Sequence, residues 1–187
     1  PVSSGTGFTR QYINAGQIDN KGYEVSLGLV PFKTPNFTWN IDVNWSKNEN
    51  KVVSLSGDSK NYLLASFQGG VSMNARIGEA WGTLIGSDYV YLNGQKVVNA
   101  TTGRYLRQNN QVIGNATPDW IGGVRNSFNY KGFSLSFLID VRKGGDIFSL
   151  DQYYGLATGL YVGTENYRES GTVWEGVNPN GQTNTTV

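Results

Sequence analysis

From Phe37 to Trp45 the chain alternates without a break: Phe37, Trp39, Ile41, Val43 and Trp45 are apolar, and Thr38, Asn40, Asp42, Asn44 and Ser46 are polar. A side-chain period of two is that of a β-strand, whose successive residues face opposite ways. The polar side carries no apolar residue, which is more than a half-buried strand of a soluble sandwich usually shows. Upstream, Tyr23, Val25, Leu27 and Leu29 alternate with Glu24, Ser26 and Gly28 until Val30 interrupts them, and a turn-rich stretch over 31–36 follows. Downstream the device returns. Trp120, Val124, Phe128 and Tyr130 share one face with Gly122 and Asn126, and Lys131-Gly132 makes a short turn. Phe133, Leu135, Phe137, Ile139 and Val141 then resume the apolar face, against Ser134, Ser136, Asp140 and Arg142, with Leu138 the exception. Two antiparallel hairpins are predicted.

Composition removes several function classes. The 187 residues include no Cys and no His, so disulfides, a thiolate nucleophile, a Ser-His-Asp relay and an ordinary zinc site are excluded. Fifteen basic and 14 acidic residues give a net charge of +1, with no Lys/Arg stripe of the kind that neutralises phosphates, which argues against a nucleic-acid partner. Only 38% of residues are hydrophobic, too few for a conventional core, whereas the aromatics gather in alternating runs that suit a pleated surface. No run of about 18 apolar residues exists, so no transmembrane helix is expected. The chain opens with Pro1 rather than Met, as expected of a processed piece or a fragment.

Between the hairpins, residues 47–118 form a polar, glycine- and asparagine-rich excursion too long for an ordinary loop. Asn93-Gly94, between Tyr89-Val90-Tyr91-Leu92 and Val97-Val98, is a strong hairpin signal, so short strands are expected there, at the end of the long hairpins opposite Lys131-Gly132. Leu150, Tyr153, Tyr154, Ala157 and Leu160 approach helical spacing, against which Gly155 and Gly159 count. The tail from Gly176 is polar and turn-forming. Long hairpins with short turns at one end and long connections at the other match the wall of an outer-membrane β-barrel. Phe37 to Trp45 and Phe133 to Val141 each cover about 26 Å at about 3.3 Å per residue, or about 20 Å of height at a tilt of about 40°, close to the apolar band of such barrels. The expected fold is all-β, an antiparallel transmembrane barrel segment with long extracellular regions over 47–118 and 144–187.

Five stretches, in this order, resemble a known family: "NAGQIDNKGYEVSL" (14–27), "FTWNIDVNWSKNENKV" (37–52), "IGEAWGTLIGSDYV" (77–90), "IGNATPDWIGGVRNSFNYKGFSLSFLIDVRKGGDIF" (113–148) and "EGVNPNGQTN" (175–184). Together they resemble the C-terminal barrel region of SusC/RagA-type TonB-dependent transporters. The resemblance implies a barrel of about 22 strands in the outer membrane of a Gram-negative bacterium. It also implies a SusD-like surface lipoprotein capping the barrel, and import of oligosaccharides or peptides energised by a TonB complex. The plug domain and the TonB-contacting segment are expected in an N-terminal part outside these residues. No cofactor is implied.

Phe37, Trp39, Ile41, Val43, Trp45, Phe133, Leu135, Phe137, Ile139 and Val141 are therefore expected to face lipid or to form aromatic girdles. For Trp39 and Trp45 this outweighs a sugar-stacking role. The opposite set, Glu24, Asn40, Asp42, Asn44, Arg125, Asp140 and Arg142, is expected to face the lumen, where it meets the plug or lines a substrate path. Trp81, Tyr89, Tyr91 and Tyr105 have an apolar face and a polar edge, and suit a partner, a ligand or the excursion's own small core. Glu165, Glu169 and Glu175 lie in a Gly- and Thr-rich loop with nothing to raise one carboxyl's pKa, so the sequence predicts no enzyme. Asp146 and Asp151 lack the spacing of a calcium loop, and no metal site is expected. The competing reading is a soluble secreted β-sandwich that binds carbohydrate. The two differ in what meets the apolar face of strands 37–45 and 133–141, a second sheet or lipid.

Overall fold

A computed structural model describes residues 4–7, 16–165, 168–169 and 171–187. It divides into two compact units. The first holds the long strands: β1 (Gly16–Lys33), β2 (Phe37–Leu55), β9 (Pro118–Tyr130) and β10 (Phe133–Gly144), in one antiparallel sheet ordered β1-β2-β9-β10. The two predicted hairpins are thus neighbours, joined by the ladder between β2 and β9 that runs from Phe37↔Tyr130 to Ser46↔Ile121.

Local chemistry sets both short turns. The Phe37 backbone N–H donates to Thr34 Oγ1 (3.0 Å), and the Thr34 N–H donates to the Phe37 carbonyl (2.7 Å). At the β9–β10 turn Lys131 adopts φ +50°, and its N–H donates to the Asn36 carbonyl (2.9 Å), tying the two turns together. The interruption at Val30 is a bulge: Leu29 pairs with Ile41 but Phe32 with Trp39. One extra residue on β1 returns Phe32 to the face it would otherwise miss, and Pro31, which has no N–H to give a ladder, sits at that bulge on an edge strand.

β2 extends well past residue 47, where the excursion was expected to begin, and pairs with β1 as far as Gly16↔Leu55. Alternation fails there because both faces are polar, so the backbone ladder alone specifies the strand. Residues 75–81 return beside it. The Val52 N–H donates to the Glu79 carbonyl, the Gly78 N–H donates to the Val52 carbonyl, both 2.8 Å, and the Trp81 N–H donates to Asn50 Oδ1 (2.6 Å). Val52 and Ala75 are fully buried beneath this wrap.

The second unit contains a smaller sheet ordered β3-β4-β5-β8, from β3 (Asn61–Ser66), β4 (Ser72–Arg76), β5 (Thr83–Tyr89) and β8 (Arg107–Asn115). Val71, Leu84 and Ile85 are among its buried apolar residues. β6 (Tyr91–Leu92) and β7 (Gln95–Lys96) form the hairpin expected at Asn93-Gly94, whose φ values of +52° and +81° are those of a tight hairpin turn. Val97 and Val98 follow and are buried with Val177, to which Val97 bridges in parallel. The polar tail is therefore pinned here, with Val177 also bridging to Thr183.

Helix α1 (Leu150–Thr158) begins where Ser149 Oγ accepts the Gln152 N–H (3.1 Å) and ends at Gly159, whose left-handed φ of +76° closes the C-terminus. Leu160, read as part of the helical pattern, lies beyond that cap. Gly155 lies inside the helix and is buried.

Candidate functional site

Residues directly opposite one another in an antiparallel ladder share a face. Across β1, β2 and β9 the register stacks Gly28, Asp42 and Arg125 in one row and Ser26, Asn44 and Gly123 in the next, with Asn40 opposite Ser127. Glu24 lies opposite Ser46, and Ile121, the next residue in that row, is an apolar exception. On β10, Asp140 Oδ1 lies 3.3 Å from the place a Cβ on Gly123 would take, and Asn44 Oδ1 lies 2.5 Å from it. A glycine at 123 is thus what lets polar side chains from two flanking strands lie across it. Arg142, two residues beyond Asp140, falls on the same face by alternation. Gly28, Asp42, Asn44, Arg125 and Leu138 border a shallow recess of about 390 Å³ on this face. Among the described residues Arg125 makes no ion pair, so this face offers separate charged and amide groups to whatever lies above it.

The opposite face is built by the rows Leu27–Val43–Val124, Val25–Trp45–Gly122 and Leu29–Ile41–Asn126. At its turn end the rings of Phe32, Phe37, Trp39, Phe128 and Phe137 form a continuous cluster with neighbouring centroids 5.5–6.5 Å apart. Asn126, the polar member of this face, accepts the Trp39 indole N–H at Oδ1 (3.2 Å). The face is uncovered: Phe133 is 81% exposed, Leu135 63% and Val25 52%. Ile139 and Val141 are exposed as well.

The four outer aromatics part company. Trp81 belongs to the first unit, and Tyr89, Tyr91 and Tyr105 to the second. Tyr91 on its hairpin is half exposed. Tyr89 and Tyr105 meet edge to face at 5.0 Å, with Lys96 Nζ 4.2 and 5.1 Å from their ring centroids and Trp174 5.7 Å from Tyr105. The Tyr105 hydroxyl donates to the Glu175 carbonyl (2.8 Å). Lys96 and Trp174 escape sequence reasoning. Trp174 sits in a loop with no periodicity, and the only signal for Lys96 is its place just after the Asn93-Gly94 turn.

Three further carboxylates have local duties. Asp146 Oδ2 accepts the Asn115 N–H (2.8 Å), Glu165 Oε2 accepts the Gly163 N–H (3.0 Å), and Asp151 Oδ2 accepts the Tyr161 hydroxyl (2.6 Å). That last bond, to a carboxylate, raises the Tyr161 pKa above its ordinary 10.0. Among the described residues no group of three or more Asp and Glu comes together as a metal site.

A long-stranded antiparallel sheet with one polar and one uncovered apolar face, joined to a smaller β unit, defines an all-β protein; among the described residues no helix is long and apolar enough to cross a membrane. No family model matches the chain. Similarity to curated proteins runs to TonB-dependent receptor P3 of Formosa agariphila, 29% identical over 171 residues that take in 79% of this chain and 17% of that protein. It extends to TonB-dependent receptor SusC of Bacteroides thetaiotaomicron, 28% identical over 150 residues, 73% of this chain and 15% of that protein. In structure the chain resembles one from the RagAB peptide transporter, with a TM-score of 0.59 at 21% identity, covering 83% of this chain and 18% of that one. Over most of its own length the chain is thus similar to TonB-dependent receptors, SusC among them, and it spans less than a fifth of the length of the curated relatives it matches.

Proposed function

We propose that the chain forms part of the barrel wall and outer loops of a TonB-dependent importer in the outer membrane of a Gram-negative bacterium. The observation that carries this reading is the uncovered apolar face of β1, β2, β9 and β10 opposite a face of Asn40, Asp42, Asn44, Arg125 and Asp140. A sandwich would cover that face with a second sheet; in lipid it needs no cover, whereas the polar side chains would each cost up to several kcal/mol if turned outward. β1 and β10 are edge strands, and a barrel of about 22 strands abolishes such edges by closure. The apolar alternation ends at Trp45, so the rest of β2 stands outside the bilayer on the extracellular side.

In this reading Phe37, Trp39, Ile41, Val43, Trp45 and the β10 series face lipid, and Glu24, Asp42, Arg125, Asp140 and Arg142 face the lumen. Residues 47–118 and 144–187 serve capture, with a SusD-like lipoprotein as partner and an oligosaccharide or peptide as cargo. Energy comes from a TonB complex acting on a part of the protein outside this chain. The cargo is moved and not altered: Asp146, Asp151 and Glu165 are occupied with backbone and hydroxyl partners, and among the described residues no pair of carboxylates is set up to divide acid and base roles. The test is uptake of labelled oligosaccharides and peptides in cells carrying the full-length protein, with and without functional TonB. Uptake that disappears with TonB is expected; equal uptake in both, or cleavage of the cargo by the purified protein, overturns the reading.

A further inference from the structure

We infer that the groove between α1 and the face of β5 and β8 in the second unit binds the C-terminal residue of a peptide, one with an apolar side chain beside its free carboxylate. The inference rests on the import reading for the nature of the cargo, but the binding itself is measured without transport. The groove measures about 620 Å³, the size of a small-molecule site. Its helical wall presents Tyr153 and Leu156, which remain 41% and 53% exposed. Its floor includes Val71 and Ile113, and Ile113 lies there because residue 86 is glycine: a Cβ on Gly86 would stand 2.6 Å from Ile113 Cδ1. Gly69 has the same role at the other wall, where a Cβ would press on the rings of Phe148 and Tyr153 at 3.2–3.3 Å. The space is thus cleared for apolar groups and left unfilled.

The polar groups at the groove decide what enters. Thr164 Oγ1 already donates to the Tyr161 carbonyl (2.6 Å), and Asp88 Oδ1 already accepts the Tyr89 N–H (2.7 Å). Arg107 makes no ion pair among the described residues. Its Cζ stands 5.7 Å from the Tyr89 ring, on which Lys96 Nζ also sits at 4.2 Å. A sugar ring brings a hydroxyl on nearly every carbon, and each one buried without a partner is costly. Aliphatic and aromatic walls with one open guanidinium suit an apolar side chain beside a carboxylate, which Arg grips in two parallel hydrogen bonds.

The experiment is calorimetric titration of the purified full-length protein in detergent with acetyl-Gly-Gly-Leu as free acid, its C-terminal amide, decanoate and maltohexaose. The free acid is expected to bind about ten-fold tighter than the amide, as one charge-assisted pair predicts, with weaker or no binding of the other two. Arg107→Gln should erase the preference for acid over amide. Leu156→Trp, which fills the groove, should abolish binding, and Leu156→Asn should weaken it while sparing the volume. Absence of binding by the free acid overturns the inference, as do equal affinity for the amide, equal or tighter binding of decanoate or maltohexaose, and Arg107 and Leu156 variants that bind like the parent. Peptide binding of the expected pattern together with TonB-independent uptake would sink the import reading and leave this site standing.

Discussion

Trp39 and Phe128 face each other directly across the β2–β9 ladder, with ring centroids 5.5 Å apart and planes inclined by 17°. This pair joins the two hairpins. Phe128 also reaches Phe137 at 6.2 Å and Phe37 at 6.5 Å, so one ring links β2, β9 and β10. Phe128→Ala should therefore destabilise the folded protein by about 1–3 kcal/mol, combining lost apolar area with lost ring pairing. Phe128→Leu should cost less. Urea titration of the full-length protein in detergent measures both, and an alanine variant as stable as the parent contradicts the linking role.

The facing of each ring was legible in the sequence, since the period of two over 37–45 and 120–130 puts Trp39 and Phe128 on apolar faces. Their pairing across β2 and β9 is a long-range contact that no local pattern encodes. The Asn93-Gly94 hairpin was legible too, because turn chemistry there demands left-handed backbone that few residues accept. The far half of β2 was not. Lys47, Asn48, Glu49, Asn50 and Lys51 are polar on both faces, and what makes them a strand is a ladder to Asp19, Asn20, Lys21, Gly22 and Tyr23. β8 is hidden for the same reason, its Arg107-Gln108-Asn109-Asn110-Gln111 run being held by pairing to β5. Among the candidate site residues, Asp42, Arg125 and Asp140 follow from periodicity. Trp174 and Arg107 belong to their cluster through long-range folding that no local pattern encodes.

The proposed facing of the sheet is testable with two arginines. Val43 lies on the apolar face between Leu27 and Val124, and Ser127 lies on the polar face opposite Asn40. If the apolar face meets lipid, Val43→Arg should cost about 2–4 kcal/mol and Ser127→Arg much less. Folding into lipid vesicles, followed by heat-modifiable gel migration and denaturant titration, separates the two. Equal costs would reject the assignment of faces.

Tyr161 supplies a pH-dependent contact outside the proposed membrane wall. Its hydroxyl donates to Asp151 Oδ2, and the hydrogen bond to that carboxylate raises the phenol pKa above 10.0 in the folded state. Because the folded value exceeds the unfolded one, the contact's contribution is complete below about pH 10. It is lost as pH rises through the folded pKa. Phenolate absorbance of the parent minus that of Tyr161→Phe should show a late-titrating tyrosine, and Asp151→Asn should bring that titration down. A Tyr161 that titrates at the ordinary value in the parent, or is unmoved by Asp151→Asn, refutes the contact.

Gly155 is the residue whose replacement best separates helix propensity from packing. Inside an exposed helix, Gly→Ala stabilises by about 1 kcal/mol because alanine surrenders less backbone entropy. Here the space is taken. A Cβ at 155 would stand 2.7–2.8 Å from Cδ2 and Cζ of the Tyr161 ring, so the ring must leave and give up its bond to Asp151. Overpacking of this kind costs about 1–3 kcal/mol, which outweighs the propensity gain, and Gly155→Ala should lower the stability of α1. With Tyr161→Ala the obstruction is gone, and Gly155→Ala should then stabilise by about 1 kcal/mol. The reversal of sign is a coupling that a double-mutant cycle reads directly. Amide hydrogen exchange across residues 150–158 of the full-length protein supplies the measurement. If Gly155→Ala protects these amides equally in both backgrounds, the Tyr161 ring does not rest where the structure places it.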